Sequence, residues 1–138
     1  MKGIKKGIII LLTGLCMCML SGCSMLSDEN VKLQDLGFTV VSEEKLSDEL
    51  KTIIDEKKAE PFKLTYSDDE FLYIVIGYGT QESGGYSIAV NELYLTEDSI
   101  YVNTTLLGPD NAESAEKVPS CPYIVLKIDY IDKPVVFE

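Results

Sequence analysis

The chain contains no histidine, no tryptophan and no arginine; all 12 of its basic residues are lysines. Without histidine it has no Ser/His/Asp or Cys/His set for nucleophilic catalysis, and no His-containing metal cluster. Ser-Lys chemistry survives on composition alone, but no motif supports it. Acids outnumber lysines 23 to 12, for a formal net charge of −11. No basic stripe is available to track a phosphate backbone, which argues against a nucleic-acid partner. The same charge argues against docking of the protein surface on anionic lipid headgroups. Long apolar runs are missing as well. The most apolar stretch, from Gly7 to Leu20, covers 14 residues, and a bilayer span needs roughly 20. There are no internal repeats and no low-complexity linker.

That uncharged stretch has another use. It follows Lys2, Lys5 and Lys6 and precedes Leu20-Ser21-Gly22-Cys23. A positive n-region, a short apolar h-region and small residues before a cysteine, in that order, form a secretory signal. The box resembles the bacterial lipobox, which implies cleavage after residue 22 and a diacylglyceryl group on Cys23. Two acyl chains hold a protein on a membrane where one does so only marginally. The expected location is therefore the extracytoplasmic face of the cell membrane. Cys16 and Cys18 leave with the signal and Cys23 is a thioether, so Cys121 stands alone and is expected to be a half-buried structural thiol. Loss of three lysines takes the formal charge from −11 to −14. Such a charge keeps a tethered domain soluble and off the membrane.

Residues 23–40 read as a polar lipid-anchored tether, although Leu36, Phe38 and Val40 alternate as a short strand or packing arm would. Residues 41–138 read as one small β domain. Leu46, Leu50, Ile53 and Ile54 form one stripe of a helix. Ser47 is placed to cap it, and Lys57 and Lys58 suit its C-terminal dipole. Everything after Pro61 reads as β. Phe62 to Tyr66 is a short strand. Phe71 to Ile76 is apolar on both parities, as expected of a central strand covered on both faces. Tyr86, Ile88 and Val90 face one way, whereas Leu93 and Leu95 have the opposite parity, so a bulge is expected near Asn91-Glu92. Thr96 to Ser99 is a hairpin turn and Gly108 to Pro122 a long loop. Ile124, Leu126 and Ile128 face inward, and Pro134 to Phe137 is a last edge strand. The predicted fold is mainly β with one N-terminal amphipathic helix, as a small sandwich or partly open barrel.

Adjacent acids such as Asp68-Asp69-Glu70 lack the spacing of a calcium loop. No catalytic residue, cofactor or metal is expected, and the chain is read as a non-enzyme. The informative stretch is Gly77-Tyr78-Gly79-Thr80-Gln81-Glu82-Ser83-Gly84-Gly85-Tyr86. It is no phosphate loop, because a strand follows it rather than a helix. Gly84-Gly85 is expected to supply positive-φ positions. The segment Gly79-x-x-x-Ser83-Gly84-Gly85-Tyr86-Ser87-Ile88 resembles the core motif of the PrcB C-terminal domain family, which is named for a subunit of a surface protease complex. The strand Phe71 to Ile76, Val102, the run Pro122 to Lys127 and the ending Lys133 to Glu138 fall in register with it. The Glu44 to Leu50 helix is similar as well. Glu82-Ser83 stands where the family carries Pro-Thr. The resemblance implies a lipid-anchored, non-catalytic domain that binds or stabilises a protein partner, a protease being one candidate, with Ser83, Gly84, Gly85 and Tyr86 as contact residues. Two alternatives are a protease inhibitor using loop 77–86, and a binder of small ligands or cell-wall glycan using some of the eight tyrosines.

Overall fold

In the computed structural model, residues 31–111, 113 and 115–138 are described. The residues read from sequence as the signal peptide, Cys23 and the first part of the expected tether lie outside them. Two short strands come first, β1 (Gln34–Asp35) and β2 (Thr39–Val40). A 3-10 turn at Glu43–Lys45 leads to the one α-helix among the described residues, α1 (Asp48–Lys57). Six strands follow: β3 (Pro61–Ser67), β4 (Phe71–Tyr78), β5 (Ser87–Leu95), β6 (Ile100–Leu107), β7 (Tyr123–Asp129) and β8 (Val135–Phe137). They form two separate sheets, ordered β1-β5-β6-β8 and β2-β7-β4-β3. The architecture is two packed sheets rather than a closed barrel, and among the described residues no ladder joins the sheets.

β4 explains the arrangement. Its even residues Leu72, Ile74 and Ile76 enter a core between the sheets with Leu93, Ile100, Val102, Leu126 and Ile128. On the opposite face, Val75 joins Val125, Leu46 just before α1, and the α1 residues Leu50 and Ile54. A strand covered by a sheet on one side and a helix on the other needs apolar residues at both parities. Burying each such side chain contributes about 1.5–3 kcal/mol. Ile53 is not part of the helix-side cluster. The Leu50 N–H donates to the Ser47 hydroxyl at 3.2 Å, the expected N-terminal cap.

The parity switch in β5 is a register shift between Val90 and Glu92. The Asn91 amide reaches Asn103 and Thr105, both at 2.6 Å. Thr96 and Ser99 close the β5–β6 turn by mutual bonds, and the Lys133 ammonium donates to the Thr96 carbonyl at 3.0 Å. β8 pairs in parallel with β6 and is an edge, as expected. Paired structure begins at Gln34, inside the stretch read from sequence as tether. β1 pairs with β5 and β2 with β7, so the segment crosses from one sheet to the other. Of its alternating residues only Leu36 packs on the core, while Phe38 and Val40 are exposed.

Candidate functional site

The two longest loops leave one end of the sandwich together. Loop 79–86 connects β4 to β5, and loop 108–122 connects β6 to β7. The antiparallel pairs β4–β7 and β5–β6 bring their roots side by side. Tyr78, at the end of β4, ties the sheets at this end. Its hydroxyl lies 2.6 Å from the Thr104 hydroxyl of the facing sheet.

The loops are then braced along their length. Gln81 and Ser120 exchange backbone hydrogen bonds at 2.7 and 3.0 Å. The Gln81 side-chain amide donates to the Tyr78 carbonyl at 3.1 Å. The Ser120 hydroxyl donates to the Ser83 carbonyl at 2.7 Å. The Gly84 N–H donates to the Glu116 carbonyl at 2.9 Å. Gly85 adopts φ +86°, and a Cβ there would sit 2.9 Å from Pro109. Gly79 adopts φ +77° against Pro61 and is held on the helix side, where the Thr80 N–H and hydroxyl both donate to the Ala59 carbonyl. Gly84 departs from the expectation. It has no positive φ, and a Cβ on it would meet nothing. The left-handed pair is therefore Gly79 and Gly85, because the chain must bend at the two roots of the loop rather than at its tip.

Ser83, Gly84, Gly85 and Tyr86 do sit together at this end. Gly85 is exposed and the other three are half-buried. The Ser83 hydroxyl is engaged with the Gly84 carbonyl at 3.2 Å. A Cβ on Gly108 would lie 3.8 Å from the Tyr86 ring. Glu82, Asp110, Glu113 and Glu116 are exposed on the two loops, with Lys117 as their one cation. At the base, burial first and then Glu43 and Asp55 push the Tyr123 hydroxyl above its ordinary range. Cys121 is a half-buried free thiol, its sulfur 3.6 Å from the Thr80 hydroxyl. The arrangement offers shape, backbone groups and negative charge. Sequence reasoning missed Glu116, Ser120 and Pro109 as parts of the same surface. Their only signal is topological, since strands that pair antiparallel place their connecting loops at one end.

Among the described residues no three His, Cys, Asp or Glu side chains are grouped to hold a metal. No helix among them is long and apolar enough to cross a membrane. Tyr66, Tyr73 and Tyr123 pack on the helix side, Tyr78 packs between the sheets, and Tyr94 stacks on Tyr101 at 5.3 Å.

A small two-sheet domain, with one sheet covered by a helix and a braced loop pair at one end, is the class that these features define. Residues 72–129, from β4 through β7 and including both loops, match the family model described as PrcB C-terminal, and this segment belongs to that family. No curated protein and no solved structure matches the chain.

Proposed function

We propose that the chain is a non-catalytic, lipid-anchored extracytoplasmic domain that binds or stabilises a protein partner, as an accessory subunit of a surface protease complex would. The observation that carries this reading is the bracing of Ser83–Tyr86 by the second loop. The backbone is held without the family's Pro-Thr, and a held loop loses little entropy on binding. The sequence of the first 23 residues supports membrane attachment through Cys23. The test is co-purification of the tagged full chain from detergent-solubilised membranes. A partner retained by the wild type and lost on Tyr86→Ala supports the reading. Equal recovery of every partner by both chains contradicts the role given to the loop.

The bracing also favours a second reading, an inhibitor that wedges the loop into a protease cleft. Inhibition of a papain-like or subtilisin-like enzyme by micromolar protein supports it, and full enzyme activity at that concentration rejects it.

A further inference from the structure

Three of the four sheet edges are short. β1 and β2 have two residues each and β8 has three, whereas β3 has seven. Short edges guard a sheet against pairing with another chain. β3 is therefore the longest of the four edge strands, and its outer side is open along its whole length.

The ladder beside it shows where its backbone groups point. The Tyr78 N–H donates to the Pro122 carbonyl at 3.1 Å, and the Tyr130 N–H to the Glu70 carbonyl at 2.9 Å. In an antiparallel ladder the hydrogen-bonded pairs alternate, so each strand addresses its two neighbours with alternate residues. Even residues of β4 thus address β7, and odd ones address β3. Gly77, Val75 and Tyr73 pair with Phe62, Leu64 and Tyr66. The Asp68 N–H, donating to the Phe71 carbonyl at 3.1 Å, continues the pattern. Lys63, Thr65 and Ser67 therefore turn their N–H and C=O groups away from the sheet, and all three are exposed.

Beside this edge a cleft of about 510 Å³ is lined by Lys63, Ile76, Tyr78, Thr104 and Glu138, among others. A strand added to β3 would direct alternate side chains toward it. The ends of the edge are acidic: Glu60 precedes β3, and Asp68 and Asp69 follow it. Lys63 is the one cation of β3, and its ammonium lies 5.8 Å from the centre of the Phe137 ring.

We propose that the open edge of β3 takes up an extended segment of a partner protein as the fifth strand of its sheet, and that this segment carries Lys or Arg at both ends. The inference rests on the partner-binding reading but uses a surface other than the Ser83–Tyr86 loop. A second copy of the chain fits poorly. Antiparallel self-pairing with Lys63 opposite Thr65 sets Glu60 opposite Asp68 at both ends, and like charges directly opposite destabilise a sheet. Cationic ends reverse the sign of both contacts.

Amide hydrogen exchange on the full chain tests this, with a synthetic peptide of alternating valine and threonine flanked by lysine pairs. Slowed exchange at Lys63, Thr65 and Ser67, with Phe62, Leu64 and Tyr66 unchanged, is the expected result. A glutamate-flanked peptide should bind about tenfold more weakly. N-methylation of the edge-facing peptide amides should abolish the protection without altering the protein. Thr65→Pro should abolish it too, because a proline is tolerated where the N–H faces solvent. Binding of the lysine-flanked peptide without protection at these three amides, or no binding at all, overturns the proposal. If a captured native partner leaves these amides unprotected, this inference fails while the loop reading stands. If the peptide protects them but no native partner is found, the reverse holds.

Discussion

Gly84 and Gly85 are neighbours with different obligations. Gly85 combines φ +86° with a Cβ position 2.9 Å from Pro109. A side chain there meets both backbone strain and a ring that cannot give way. Gly85→Ala should therefore cost about 1–3 kcal/mol in chemical denaturation, whereas Gly84→Ala, in open space, should stay within about 0.5 kcal/mol. Asp68 supplies a second test. Its carboxylate accepts from the Phe71 and Glu70 N–H groups at 2.7 and 2.9 Å, and these bonds lower its pKa. Folding thus favours the charged form. The contribution is complete above the ordinary carboxylate range and lost as pH falls through the depressed value. Asp68→Asn should be less stable than wild type at neutral pH. The gap should close below about pH 4. A gap that stays constant down to pH 2 would contradict this.

Among the elements, β4 was the most legible. Apolar residues at both parities imply two covers, and the structure has the second sheet on one side and α1 on the other. The bulge at Asn91 was equally legible, because a slip in parity has no other common cause. The crossing of residues 34–40 between the sheets was not, since strands of two residues carry no period. The loop bracing escaped for another reason: it runs through backbone groups such as the Gly84 N–H and Glu116 carbonyl, which no side-chain pattern encodes. The two faces of β4 carry separable predictions. Ile74→Ala, between the sheets, and Ile54→Ala, under the helix, should each cost about 2–5 kcal/mol by opening a cavity. Ser47→Ala removes only the helix cap and should cost about 1 kcal/mol. Leu107→Ala, at an exposed position, should be nearly neutral. Denaturant midpoints for the four variants check the order.

For the whole molecule, the proposal joins a lipid anchor at Cys23 to a strongly acidic domain. Cys23→Ser should release the protein from membranes or leave it unprocessed. A processed chain that still fractionates with membranes would contradict the anchor. The charge fits the proposed role, a tethered domain held off the bilayer that meets a protein. The most direct test of that claim is a photo-crosslinking residue placed at position 86 of the full chain in intact cells, with position 56 on α1 as control. The account predicts a discrete crosslinked protein species at position 86 and none at position 56. Illumination that yields no adduct at position 86, or the same adducts at both positions, would contradict it.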